Sequence, residues 1–251
     1  MKLNSTALIS SLAAAGAIAA TGMPAQAASF TASDAAGCAG LTSCVVNDFF
    51  TLTAGDGKYL TYKEFALVDG VGVSATQDIK KDPSWGEIDS NGERLIVDFA
   101  KATALRSIDL SFLYQDGVNH DRVNEVAKVT ATLLDGSLVS HTLSVLGDTL
   151  AGWSGNYDGT AVKNMSPSIA FDGVNDAGGW YRILNPFGDL EVASLEFTAI
   201  RLNDSLAKQS WDSDYALKGI KTVPEPATVL GLMGVATLAG FTARRRRSVE
   251  S

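Results

Sequence analysis

The stretch Ala127–Leu146, "AKVTATLLDGSLVSHTLSVL", decides the fold class. Val129, Ala131 and Leu133 alternate with Lys128, Thr130 and Thr132, so apolar side chains recur at every second residue. A period of two puts the two sets on opposite faces of an extended strand, whereas a helix requires a period near 3.6. Asp135-Gly136 then separates this run from a second strand-like one, "LVSHTLSVL". Asp-Gly is a strong hairpin signal, because glycine takes positive φ without a steric penalty.

The same alternation extends through the body. In "RLIVDF", Leu95, Val97 and Phe99 alternate with Arg94, Ile96 and Asp98. In "SIDLSFLYQ", Ile108, Leu110, Phe112 and Tyr114 face one way, with Asp109 and Ser111 opposite. In "SLEFTAIRL", Leu195, Phe197 and Ala199 oppose Glu196 and Thr198. Asp56-Gly57, Asp69-Gly70, Asn91-Gly92 and Asp116-Gly117 read as further turns. No segment carries three turns of amphipathic helix. Alternation of this kind suits antiparallel strands with one face in a core. About eight to ten short strands predict an all-β antiparallel β-sandwich of jelly-roll type, with a closed barrel as the alternative.

The two ends differ from the body. Lys2, the apolar run Ala7–Ala20 and the small residues Ala25 and Ala27 form a secretory signal peptide, residues 1–27, with a signal helix. At the other end, residues 223–251 begin with "VPEP". Pro224 and Pro226 lack the N–H that a strand or helix interior needs, so the last folded element stops beside them. Ala227–Ala243 is free of charge and, as a transmembrane helix, is roughly 25 Å long. Arg244, Arg245, Arg246 and Arg247 follow, and arginines clustered beside a membrane segment stay cytoplasmic, leaving the body on the far side.

Val223, Pro224, Glu225 and Pro226, the apolar helix and the four arginines, in that order, resemble the PEP-CTERM sorting signal of exported bacterial proteins. The resemblance implies a temporary anchor in the inner membrane. An exosortase-type enzyme then cleaves near Pro-Glu-Pro and releases the body to the cell surface or an exopolysaccharide matrix, as in a biofilm. A permanent anchor is the alternative. A second resemblance concerns the body, residues 28–222. "NGERLIVDF", "VTATLLDGSL" and "SDYALKGIKTVPEP" are similar to the galactose-binding-like sandwiches often joined to this tail, which implies a carbohydrate-binding architecture. Fold alone does not establish binding.

Composition narrows the chemistry. The 251-residue chain has 20 basic and 28 acidic residues. Lys2 and Arg244–Arg247 account for five of the former, and Glu225 and Glu250 for two of the latter, leaving the body at −11. So acidic a surface repels phosphate backbones, which excludes nucleic acid as a partner. Cys38 and Cys44, in "GCAGLTSC", are the only cysteines. In an oxidising compartment this C-x₅-C pair closes a disulfide that pins the N-terminal segment.

Enzymatic signatures are missing: there is no G-x-S-x-G, H-E-x-x-H or phosphate-cradling loop. His120 sits in a polar loop, and His141 within a strand reads as a rim residue. The acids a glycosidase would draw on, Glu87, Glu93, Asp116, Asp121, Glu125 and Asp189, are scattered and read as surface groups. The body is therefore expected to be non-enzymatic, with a structural component lacking glycan specificity and a glycan-active hydrolase as alternatives. Calcium is the cofactor that the oxygen-rich loops suit, through Asp116, Asn119 and Asp121 in "QDGVNHDRVNE" and Asp214 at the end of "NDSLAKQSWDSD". For a polysaccharide, Trp153 and Tyr157 are the first candidates, and Trp180 and Tyr181 the second, because aromatic faces pack on sugar CH surfaces. Each ring singly has the plainer role of capping the sandwich core.

Overall fold

A computed structural model describes residues 27–82, 84–118, 121–147, 149–167, 178–202 and 212–224, all within the unit Gln26–Pro224. The expected signal and transmembrane helices lie outside the described residues, as do Ala25, Asn119, His120, Glu225, Pro226 and Arg244–Arg247.

The described residues form fifteen strands, more than the eight to ten expected, because several edge pieces are only two to four residues long. They are β1 (Ser29–Thr31), β2 (Ser43–Val46), β3 (Phe50–Ala54), β4 (Tyr59–Phe65), β5 (Val68–Ser74), β6 (Ile88–Asp89), β7 (Leu95–Thr103) and β8 (Leu105–Leu113). After these come β9 (Val126–Leu133), β10 (Leu138–Gly147), β11 (Leu150–Trp153), β12 (Ala161–Asn164), β13 (Gly179–Leu184), β14 (Val192–Ala199) and β15 (Asp214–Thr222).

Two antiparallel sheets result. One runs β12-β13-β8-β15-β5-β4, with β1 and β6 also paired to β15; the other runs β11-β10-β9-β14-β7-β3-β2. Two separate sheets make a β-sandwich and rule out the single closed barrel. The core lies between them. Val97 stands opposite Leu195, which stands opposite Ala131, and Phe197 lies between Leu95 and Val129. All six are fully buried. The period-two reading of β7, β9 and β14 thus names the core face.

Four of the five expected turns occur as turns, including Asp135-Gly136, where the Gly136 N–H donates to the Leu133 carbonyl at 2.9 Å. Asp69-Gly70 does not. It lies inside β5, and the hairpin tip is Ala66-Leu67, both in the left-handed region. Gly70 answers to packing: a Cβ there would stand 2.4 Å from Cβ of Ala216 on β15.

The second departure is in β8. Phe112 has φ of 59°, and across to β13 Leu110 pairs Tyr181 while Leu113 pairs Gly179. One extra residue on β8 makes a bulge. Alternation therefore changes phase: Ile108, Leu110 and Leu113 enter the main core, whereas Phe112 and Tyr114 join Val68 and Ala216 in a small satellite cluster. Periodicity alone puts Phe112 and Tyr114 on the same face as Leu110, and the bulge is what separates them.

Cys38 and Cys44 form the expected disulfide, with Cα atoms 5.6 Å apart. It ties a 3₁₀ turn, Ala32–Cys38, to β2. No helix among the described residues is long and apolar enough to cross a membrane.

Candidate functional site

The bulge delivers Tyr114 to one end of the β8 sheet, where the chain enters the Asp116-Gly117 turn. That loop is closed by its own backbone: Gly117 donates to the Asp121 carbonyl at 3.0 Å, and Asp121 to that of Val118 at 2.9 Å. Beyond it, Glu125 precedes β9 and reaches back. The Tyr114 N–H donates to its Oε2 at 2.6 Å, and the Asp214 N–H to its Oε1 at 3.2 Å. One carboxyl thus ties the end of β8 to the start of β15. On the other side of β15, β6 pairs Asp89 with Asp214 and Ile88 with Tyr215, which brings in the preceding residue, Glu87.

Asp121, Glu125 and Asp214 are the group that results. Each offers a carboxylate oxygen, and these oxygens lie within 4.8 Å of one another. All three residues are buried, Glu125 completely. Glu87 is beside them and ion-paired to Lys63, whose ammonium also lies 4.6 Å from the centre of the Phe112 ring. Burial pushes the Asp121 carboxyl up to about 8, aided by Glu87. Glu125 and Asp214 are held well above the carboxylate range, chiefly by burial, then by their acidic neighbours. Burial and the same acids raise the Tyr114 hydroxyl. For Lys63, burial opposes the charged form, but Glu87, Asp214 and Glu125 outweigh it and its ammonium is stabilised.

The sequence-derived calcium set is thereby revised. Asp121 and Asp214 do come together, although they are 93 positions apart in sequence. Asp116 does not join them: its side chain is exposed, and its N–H donates to Asn124 Oδ1 at 2.9 Å. Asn119 lies outside the described residues. Glu125, expected only as one of the scattered surface acids, is the third member of the group. Its sole sequence signal is an acid directly before an apolar strand.

A second acidic pocket lies nearby, from Asp82 to Glu93. Ser84 Oγ donates to Asp82 and Asp89, Glu93 accepts the Asp89 N–H at 3.3 Å, and Lys58 pairs Glu93 at 3.2 Å. Burial, then Asp89, raises the Glu93 carboxyl to about 8. The Lys58 pair pulls the other way, but Lys58 is part exposed and water screens it, so burial prevails.

The aromatic candidates divide. Trp153 ends β11, and Tyr157 follows in a loop; both are half-buried. His141 on β10 lies between them, its ring 5.5 Å from each and 5.6 Å from Phe187. His141 Nε2 and Tyr157 Oη are hydrogen-bonded at 2.9 Å, and the Trp153 indole N–H donates to the Pro186 carbonyl at 3.1 Å. These rings pack against the edge of the sandwich core together with His141, which is itself half-buried. On β13, Trp180 is half-buried with Lys218 Nζ 4.3 Å from its ring centre, while Tyr181 points into the core, 1% exposed, out of reach of any solvent-borne ligand.

Residues 222–247 match the family model of the PEP-CTERM protein-sorting motif. The chain therefore carries that sorting signal, which implies export and processing by an exosortase at the membrane. No curated protein and no solved structure matches the chain.

Proposed function

We propose that the chain is an exported, non-enzymatic component of the cell surface or of an extracellular polysaccharide matrix, held in the inner membrane only in transit. The observation that carries this is the junction at residue 222. β15, in the middle of its sheet, ends at Thr222, where the sorting motif begins, so the whole folded body precedes the signal. The sandwich itself is a jelly roll. Support comes from nested pairing: β5 with β15, β7 with β14, β8 with β13 and β9 with β10.

The non-enzymatic reading is favoured by how the reactive groups are used. His141 is hydrogen-bonded to Tyr157 and packed beside three rings, and Ser154 Oγ, 3.5 Å from His141 Nδ1, accepts the Thr142 N–H at 2.9 Å. The convergent carboxyls Glu125 and Asp214 are 0% and 4% exposed, too deep to meet a sugar ring. Polysaccharide is the partner class we assign to the domain, through the exposed edges of Trp153 and Tyr157. Binding of the full chain on a glycan array supports it; co-purification with envelope proteins and no glycan binding leaves a structural component instead.

Sorting is tested by replacing Pro224, Glu225 and Pro226 with alanine in the native host. The variant is expected to accumulate uncleaved in the membrane fraction. Unchanged processing and release would contradict exosortase sorting.

A further inference from the structure

We propose that Trp85, on the loop between β5 and β6, is a stacking platform for a neutral polysaccharide, apart from the Trp153–Tyr157 edge. This site presupposes polysaccharide as the partner class and adds a side chain that makes the contact. Its ring is bare. Trp85 is 60% exposed. Of the other tryptophans among the described residues, Trp153 and Trp180 are half-buried and engaged, the first through its indole N–H to the Pro186 carbonyl, the second under the Lys218 ammonium. Among the described residues, no hydrogen bond or ring contact involves the Trp85 side chain. A large ring left in water forfeits the burial that makes tryptophan valuable in a core.

The bare ring stands on a fixed frame. Its neighbours Ser84 and Gly86 are buried. Ser84 Oγ donates to Asp82 at 3.2 Å and to Asp89 at 3.1 Å, and the Trp85 N–H donates to the Asp82 carbonyl at 3.2 Å. The Gly86 carbonyl accepts Thr61 Oγ1 from β4 and lies so close to β5 that a Cβ on Gly72 would overlap it. The backbone at Trp85 is itself costly. Its φ is 55°, and that of Gly86 is 81°. A bulky residue in the left-handed region is an outlier, whereas asparagine or glycine would hold the same turn with less strain. The sequence thus keeps a strained, exposed ring on a rigid loop, and strain of this kind gathers at ligand clamps.

The surroundings select the occupant. Among the described residues from Val68 to Leu133, Trp85 is the one exposed large apolar side chain. A lipid surface or a protein interface calls for several such side chains together. A sugar ring needs one aromatic face for its CH surface and polar groups beside it for its hydroxyls. The same loop supplies these. Its turn Ile79–Lys81 packs against the frame, since a Cβ on Gly86 would stand 2.6 Å from Ile79 Cδ1. That turn carries the exposed pair Asp78–Lys81, 3.3 Å apart, an acceptor and a donor. The acidic body repels a polyanion, which leaves a neutral glycan.

The test is native affinity electrophoresis of the full chain in neutral detergent, through gels holding hydroxyethyl cellulose, dextran or alginate. Retardation is expected in at least one of the two neutral gels and not in alginate. Trp85→Asn, which suits the left-handed backbone, should weaken that retardation roughly tenfold or more and leave the thermal midpoint unchanged or higher. Trp85→Tyr, which restores a ring, should keep most of it. Retardation unchanged in Trp85→Asn overturns this site and leaves the polysaccharide reading to Trp153 and Tyr157. No retardation of the parent in any gel overturns both. Retardation in alginate alone overturns the neutral class. A midpoint lowered by roughly 5 °C or more in both variants makes Trp85 a structural residue and overturns the site too. So does co-sedimentation with anionic lipid vesicles that Trp85→Asn abolishes, because it assigns the ring to a membrane.

Discussion

The backbone N–H of Asp214 donates to Oε1 of Glu125 at 3.2 Å, across 89 positions of sequence. The other oxygen of the same carboxyl accepts the Tyr114 N–H at 2.6 Å. A single buried side chain therefore closes the end of β8 and the start of β15 together.

Glu125→Ala should orphan both N–H groups. Each buried unsatisfied donor costs about 1–3 kcal/mol, so a loss of roughly 2–4 kcal/mol is expected after relief of acid–acid repulsion. Glu125→Gln keeps an acceptor and should lose about half as much. Urea unfolding in chelator measures both. Equal losses would contradict a hydrogen-bonding role.

Stability should also fall as pH rises through the Glu93 pocket. The folded carboxyl titrates at about 8 and the unfolded one at 4.5, so between these values the folded state holds a proton that the unfolded chain has released. The slope is at most about −1.4 kcal/mol per pH unit from this group, flattening above about pH 8. Glu93→Gln, neutral at every pH, should remove that slope and gain relative stability at pH 8. A slope unchanged in Glu93→Gln would assign it to another group.

Gly70→Ala tests close approach of strands within the sheet. Its Cβ would crowd the Cβ of Ala216, which moves only with its strand, and stand 2.7 Å from Ser111 Oγ. A cost of roughly 2–3 kcal/mol is expected. Gly136→Ala meets nothing within 4 Å and suffers only from its φ of +82°, so about 1 kcal/mol is expected there. Calorimetry on the two variants should give that order.

The Cys38–Cys44 bridge closes only a short loop, so the effect of reducing it should be local. A loop this short contributes about 2 kcal/mol. Hydrogen exchange after a Cys38→Ser/Cys44→Ser substitution should accelerate over the Ala32–Cys38 turn and β2 and leave β14 unchanged. Loss of protection in β14 would show that the bridge holds the whole sandwich.

The sandwich was legible because β7, β9 and β14 have one face in the core and one toward water, and that contrast writes itself into residues such as Val97 beside Asp98. β8 and β15 were less so. Both faces of each are covered, and the bulge at Phe112 shifts the phase without any local residue that announces it. Gly70 resembled a turn because a glycine serving close packing and one serving positive φ look the same in sequence. The acidic site was half visible. Asp121 and Asp214 stood out in oxygen-rich loops, but Glu125 and Glu87 looked like ordinary surface charge. Their burial arises only when segments from residues 87, 125 and 214 meet around the end of β15.

The most direct measurement is the intact mass of the product recovered from outside its native host. An exported chain cleaved at both ends should begin near Ala28 and end beside Pro224–Pro226, lacking Arg244–Arg247, with its two cysteines joined. A recovered product that keeps the four arginines, or a chain found only in the cytoplasm with residues 1–27 intact, would contradict it.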